Sequence, residues 1–227
     1  MLLCADVMTT AVVTGANRGI GLELCRHLRA RGDEVIGICR RGSPDLEGLG
    51  ARVVSGVDVA DAGAVDELAR TIDVKRIDVL VHNAGVLTRE TLEDLDLDRI
   101  RRQLEVNALA PLHLTAALLP KLERGSKIAM VTSRMGSIAD NTSGSRYGYR
   151  MSKAALNMAA KSLSVDLRAR GIAVTVLHPG FVQTGMTAGQ GDTDPRTAAA
   201  RLLDRIDALT LETSGTFWHA NGEVLPW

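Results

Sequence analysis

The sequence predicts an α/β fold: a doubly wound, seven-stranded parallel sheet with helices on both faces. Three observations predict it. Short, nearly continuous apolar runs, several of them β-branched, recur along the chain, as strands buried on both faces require. Longer amphipathic stretches alternate with them, which implies right-handed crossovers between parallel strands. The first apolar run opens into a glycine-rich loop and then a helical pattern.

The seven strand runs are Ala11–Val13, Glu34–Ile38, Arg52–Val54, Val79–His82, Lys127–Thr132, Ala173–Leu177 and Thr216–Trp218. The helical patterns are Ile20–Arg31, Ala62–Thr71, Asp98–Leu119, Tyr149–Arg170 and Pro195–Ala208. Gly32 and Gly171 stand where helix C-caps favour glycine. Asn221-Gly222 is a tight-turn dipeptide between Phe217-Trp218 and Val224-Leu225. The polar segments Ala139–Arg146 and Thr187–Asp194 read as loops, the second as a mobile lid.

The 227 residues suit one domain, residues 1–227, with a single sizeable core. Aromatics make up only 3%, so the core must be aliphatic. Lys and Arg (27) balance Asp and Glu (27), and nothing in that balance calls for nucleic acid or an anionic membrane as partner. No run of ~18 apolar residues exists to span a membrane. The apolar start, Met1–Val13, lacks a basic n-region and a cleavage site. It reads as a leader running into the first strand, with Met8 as an alternative start. Cys4, Cys25 and Cys39 fit no zinc or redox spacing, so no metal is expected and the thiols suit a reducing cytoplasm.

Thr14-Gly15-Ala16-Asn17-Arg18-Gly19-Ile20-Gly21 joins the first strand to the first helix. A Rossmann-type fold binds a pyrophosphate at this place. Glycines let the backbone turn and approach the phosphates, and the helix N-terminus offers free N–H groups. The second strand ends at Cys39, followed by Arg40-Arg41 and no acidic residue. An NAD site usually places a carboxylate there for the ribose 2′-hydroxyl. Arg18 and Arg40 instead suit a 2′-phosphate, so NADPH is expected over NADH.

Further motifs follow in order: His82-Asn83-Ala84-Gly85 after the fourth strand, Asn107 within a helix, Ser133 after the fifth strand, Tyr149-Arg150-Met151-Ser152-Lys153, and Pro179-Gly180-Phe181-Val182-Gln183-Thr184 after the sixth. Together they resemble the short-chain dehydrogenase/reductase family along essentially the whole chain. Ser133-Arg134-Met135-Gly136-Ser137-Ile138, the Tyr149–Met158 stretch and the ending Gly222-Glu223-Val224-Leu225-Pro226-Trp227 resemble its C-factor and sniffer-type carbonyl reductases. The gap from Ser133 to Tyr149 is a few residues longer than is common in the family.

Tyr149 and Lys153 are four apart and share one helix face. Hydride transfer to a carbonyl carbon leaves charge on oxygen, and a proton must arrive. At ~5 Å and an effective dielectric near 20, an ammonium favours a phenolate by about 3 kcal/mol, roughly two pKa units. The resemblance implies that Ser133 holds the substrate oxygen, although Thr132 and Ser137 are neighbouring hydroxyls. It implies that Asn107 interrupts regular helix bonding and holds a water beside the lysine. It implies adenine contacts at Asp58 and Val59, where an ordinary N-cap competes. Asn83, Ala84 and Gly85 would pass beside the adenine ribose, and the Pro179-Gly180 turn with Val182 and Thr184 would dock the nicotinamide. Tyr147 is a rival phenol, but Met151 stands where its lysine should be. His82 and His178 read as strand-end residues.

The expected activity is reversible, NADPH-dependent reduction of a ketone or aldehyde. The alternative is a C-factor-like signalling protein that binds a dinucleotide with little turnover. Met135, Phe181, Met186 and the Thr187–Asp194 loop should line a pocket for a small hydrophobic carbonyl or alcohol. The resemblance also implies a homodimer or homotetramer, packed through the helices around Asn107 and after Tyr149.

Overall fold

A computed structural model describes residues 9–227. Cys4, Met8 and most of the expected leader lie outside these residues. Seven strands form one parallel sheet: β1 (Thr10–Thr14), β2 (Glu34–Ile38), β3 (Arg52–Val54), β4 (Ile77–His82), β5 (Leu122–Val131), β6 (Ala173–His178) and β7 (Phe217–His219), in the order β3-β2-β1-β4-β5-β6-β7. The order reverses between β1 and β4, and ligands of open α/β sheets bind at such a switch point, beyond the carboxyl ends of the strands. Because every strand runs the same way, the loops after β1 to β6 all emerge on that one edge.

Side chains alternate across the strands, so neighbouring residues feed two cores. Val12, Ile36, Leu80, Ile128 and Val174 face one side and pack with Leu114 of α5 (Ala110–Leu118) and Leu156 of α6 (Tyr147–Asp166). Ala11, Val13, Val35, Val81 and Leu177 face the other. There they meet Leu24 and Leu28 of α1 (Gly19–Ala30) and Leu202 and Ile206 of α7 (Pro195–Asp207). Each fully buried aliphatic side chain contributes roughly 1.5–3 kcal/mol, so the scarcity of aromatics is no handicap.

Three further helices complete the wrapping. The short α2 (Pro44–Glu47) is capped by Ser43, with Pro44 at its first position; this Ser-Pro start is a helix signature the periodicity analysis did not use. α3 (Ala62–Thr71) matches its expected bounds and is capped by Asp61. The expected single helix Asp98–Leu119 is divided into α4 (Leu97–Leu104), a π turn (Glu105–Leu109) and α5. Pro111 has no N–H to give the Asn107 carbonyl four residues earlier, so regular α bonding cannot continue through this point.

Other elements shift at their ends. β5 begins five residues earlier than expected, because Glu123–Gly125 are exposed and carry no apolar pattern. α6 starts at Tyr147, so Tyr149 is its third residue rather than its first; Arg146 caps it with a left-handed backbone and no side-chain bond. α6 ends at Asp166, a 3-10 turn spans Arg168–Arg170, and Gly171 follows at φ 74°. The Asn221-Gly222 turn forms as expected: Trp218 pairs antiparallel with Val224 and Gly222 has φ 99°.

Candidate active site

The loop after β1 is built as a cradle. Gly15 has φ 66° and Gly19 φ 55°, conformations that cost a side-chain residue about 1 kcal/mol or more. A Cβ on Gly21 would sit 2.2 Å from the Gly15 carbonyl oxygen, so only glycine fits there. Arg18, the N-cap of α1, is extended at φ −166° and makes no side-chain cap bond. The first N–H groups of α1 therefore have no side chain over them, and the dipole adds positive potential. These features fit a dinucleotide pyrophosphate.

The loop after β4 is tied to this cradle. The Thr14 hydroxyl accepts the amides of Asn83 (3.0 Å) and Ala84 (3.1 Å). Asn83 Nδ2 donates to the carbonyls of Thr14 (3.0 Å) and Gly15 (3.2 Å). Thr184 reaches over from the loop after β6, with its methyl 3.5 Å from where a Gly19 Cβ would lie.

Arg18 before α1 and Arg40 after β2 are both exposed on loops at the carboxyl edge. Asp58 is not an N-cap, since Asp61 fills that place; its carboxylate accepts the Ala60 amide (3.1 Å) and pairs with Arg102 (2.6 Å). Burial opposes ionisation of Asp58, but these bonds, with the charges of Arg102 and Arg40, hold its pKa below the usual carboxylate value.

The structure brings Asn107, Ser133, Tyr149 and Lys153 together. Asn107 is fully buried in the π turn. Its Nδ2 donates to the Val86 carbonyl and to Ser152 Oγ, both at 2.9 Å, and its Oδ1 accepts the Val86 amide at 2.8 Å. Ser152 Oγ donates in turn to the Tyr149 carbonyl (2.9 Å), which joins the π turn to α6. Lys153 Nζ donates to the Val131 carbonyl at the end of β5 (2.9 Å) and lies 5.8 Å from the Tyr149 ring centre. Gly85 lies between these groups: a side chain there would stand 3.3 Å from Asn107 Oδ1 and 3.8 Å from Lys153 Nζ.

The three hydroxyls after β5 differ in their bonds. Thr132 donates to Asn157 Oδ1 (2.7 Å), and Ser137 donates to the main-chain oxygen of Trp227 (3.0 Å). Ser133 Oγ accepts the Met135 amide (3.1 Å), which leaves its O–H as a donor toward the site. Tyr147 lies at the first turn of α6 without a lysine partner, as expected.

The electrostatics correct one expectation. Burial raises the Tyr149 pKa to about 12, with the Ser133 side chain and the Arg146 charge pulling only part of the way back. Burial also pushes Lys153 down to about 8. The expected acidification of the phenol by the ammonium does not emerge: desolvation disfavours both charged forms, and the groups that lower the phenol are Ser133 and Arg146. In the protein alone Tyr149 carries its proton at neutral pH. His82 is buried, held near pKa 3 by desolvation, and bonded to Thr115 Oγ1 (2.9 Å), so it is a structural strand-end residue. His178, also depressed to about 3 by burial, packs edge-on against His219 at 4.9 Å.

Around the catalytic candidates, Phe181, Met186 and Ile138 are exposed and Met135 is half-buried, which gives an apolar rim. Val182 is buried, and Gly180 has φ 92°. The expected lid segment folds back on its own stem: Gln183 donates to Thr193 (3.0 Å), Asp192 to Phe181 (2.8 Å), and Thr187 caps the turn begun at Thr184. Cys25 and Cys39 are buried, and burial drives the Cys25 thiol to about 12. Among the described residues no helix is long and apolar enough to cross a membrane.

Sequence reasoning assigned no role to Thr14, Ser152 or Asn157. Ser152 lies within the quoted Tyr-to-Lys motif, three residues after Tyr149, and that spacing is the one signal that could have found it. Thr14 and Asn157 act through tertiary partners far away in sequence.

Fold and site define a doubly wound α/β oxidoreductase. Residues 9–195 match the family model described as short chain dehydrogenase, and the chain belongs to that family. It is 43% identical to the 1-hydroxy-2-glutathionyl-2-methyl-3-butene dehydrogenase of Rhodococcus sp. (strain AD45), over 97% of this chain and 100% of the relative. It is 48% identical to the C-signal of Myxococcus xanthus over 66% of this chain and 93% of that protein. The NADPH-bound carbonyl reductase from chicken fatty liver superposes with a TM-score of 0.88 at 29% identity, covering 97% of this chain and 99% of that one. Both sides of the resemblance carried by Ser133–Ile138, Tyr149–Met158 and the Gly222–Trp227 ending, C-factor and carbonyl reductase, are thus met.

Proposed function

We propose that the protein is an NADPH-dependent reductase of a ketone or aldehyde, reversible toward the alcohol, working within one domain. The observation that carries this reading is the convergence of Asn107, Ser133, Tyr149 and Lys153 on the sheet edge that bears the open glycine cradle. Gly15, Asn17, Arg18, Gly19, Ile20 and Gly21 would hold the pyrophosphate, and Arg18 and Arg40 the 2′-phosphate. Asp58, Val59, Asn83, Ala84 and Gly85 would border the adenosine; Pro179, Gly180, Val182 and Thr184, with Tyr149 and Lys153, the nicotinamide side. The bound cofactor supplies the hydride. Ser133 donates a hydrogen bond to the substrate oxygen, where charge develops. Tyr149, protonated at neutral pH, gives that oxygen its proton as general acid. Lys153 holds positive charge beside the phenol and favours its anion once the proton has left. Asn107, in its π turn, holds the Val86 backbone and, through Ser152, the turn of α6 that carries Tyr149.

The chicken enzyme's bound NADPH and the arginines at β2 support the cofactor preference. Arg40→Asp should weaken NADPH binding at least tenfold while NADH binding changes less than threefold, read by fluorescence titration; equal change would remove Arg40 from the phosphate site. Activity is tested by NADPH consumption against ketones, diketones, quinones and aldehydes. Tight NADPH binding without turnover of any carbonyl would favour the signalling reading, for which the likeness to the C-signal is the supporting observation. The complete catalytic set favours the enzyme. The Rhodococcus relative's name describes a glutathionyl-bearing alcohol, so alcohols and aldehydes with such groups belong in the panel. The exposed Met151, Met158 and Val165, seven residues apart on α6, with Leu109 at the end of the π turn and Leu112 on α5, support a homodimer or homotetramer.

A further inference from the structure

Arg146 immediately precedes the helix that carries Tyr149 and Lys153. Ser145 and Arg146 both have left-handed backbones, at φ 51° and 52°, and neither is glycine. Such conformations are strained for residues with a side chain and persist only where the surroundings impose them. The surroundings do so here. The Arg146 amide donates to the Glu90 carbonyl (2.9 Å), and the Glu90 side chain is fully buried against Gln103. Arg150 clamps the preceding turn through the carbonyls of Gly144 (2.9 Å) and Ser145 (3.1 Å).

This braced backbone fixes where the Arg146 side chain points. Its guanidinium contacts Met135 Sδ at 3.8 Å, on the apolar rim after Ser133, and its charge reaches the Tyr149 hydroxyl. Among the described residues no carboxylate pairs with it, whereas nearby Arg134 is matched to Asp140 and Glu223. A half-buried guanidinium with a sulfur neighbour and no counter-ion keeps its planar fork of donors available for an anion. We propose that Arg146 is a specificity residue that selects carbonyl and alcohol substrates carrying a carboxylate, seated beside Tyr149 with the apolar part of the substrate against Met135. This rests on the reductase reading above and adds a substrate class to it.

The test compares matched pairs: 2-, 3- and 4-carboxybenzaldehyde with their methyl esters. In the wild-type protein at least one acid should exceed its ester in kcat/KM by about tenfold or more, as a charge-assisted bond implies. In Arg146→Asn, whose side chain suits the left-handed backbone, that ratio should fall toward one. The ratio cancels any change in Tyr149 acidity, which acts on both members of a pair. Esters preferred in every pair, or an acid preference that survives Arg146→Asn, would overturn the proposal. A binding readout separates it from the reductase reading. The NADPH complex should bind at least one of the three carboxybenzyl alcohols at least tenfold tighter than its methyl ester, and Arg146→Asn should remove the difference. That result without turnover would sink the reductase and keep the anion site. Equal binding of acid and ester in every pair would sink the anion site alone.

Discussion

Tyr149→Phe should lower kcat for carbonyl reduction by about 10³-fold while leaving NADPH affinity within threefold of wild type. The ring is buried, so phenylalanine keeps its packing and only the hydroxyl is lost. General acid catalysis contributes typically 10²–10⁴-fold, and Tyr149 is an acid protonated at neutral pH and placed beside Ser133. Steady-state rates with fluorescence titration of NADPH check this. A variant within tenfold of wild type would mean that the proton arrives from another group.

Lys153→Met should abolish most turnover, by about 10²-fold or more, and yet raise thermal stability at neutral pH. The folded-state pKa of about 8 lies below the unfolded value of 10.5. Between those values the unfolded chain holds the extra proton, so stability rises with pH across that window. Below it the folded protein carries the full cost of a buried ammonium, about 3 kcal/mol for this shift. Methionine removes that cost but leaves the Val131 carbonyl without its donor, which offsets about 1–3 kcal/mol. The expected net gain is about 1 kcal/mol, or roughly 3 °C in Tm at pH 7 for a chain of this length. The difference from wild type should shrink and reverse as pH rises toward 10. Calorimetry across pH 7 to 10 reads this directly. A lower Tm at pH 7, with no pH dependence in the difference, would show that the lysine is structurally favourable and not held at a cost for its chemistry.

That opposition between stability and activity bears on what the sequence made legible. The parallel sheet was readable because its inner strands are buried on both faces, so their apolar runs are nearly unbroken; β2, buried from Val35 to Ile38, matches its expected bounds. β5 began earlier than its pattern suggested because the exposed Glu123–Gly125 leave no hydrophobic trace. The π turn was invisible to periodicity, although Pro111 four residues after Asn107 marks the bond that cannot form.

Within the candidate site, the residues that converge were legible from the ordered motifs and the family resemblance they carry, because a parallel sheet delivers every β-to-α loop to one edge. Their ionisation was not. Pairwise spacing made Lys153 an acidifying neighbour of Tyr149, whereas burial, a property of the whole fold, reverses the sign of the shift. The choice of Ser133 over Thr132 and Ser137 likewise depended on partners, Asn157 and Trp227, that lie 25 and 90 residues away. The left-handed Ser145-Arg146 step has no composition signature, since neither residue is glycine or asparagine.

Direct transfer of hydride from a nicotinamide to a carbonyl carbon is followed with NADPH deuterated at the transferring C4 position, incubated with the protein and the carbonyl panel, and by mass spectrometry of the alcohols formed. The expected result is one deuterium on the carbinol carbon of at least one product, lost when Tyr149→Phe replaces the wild-type protein. Saturable NADPH binding with no deuterated alcohol from any member of the panel would contradict it.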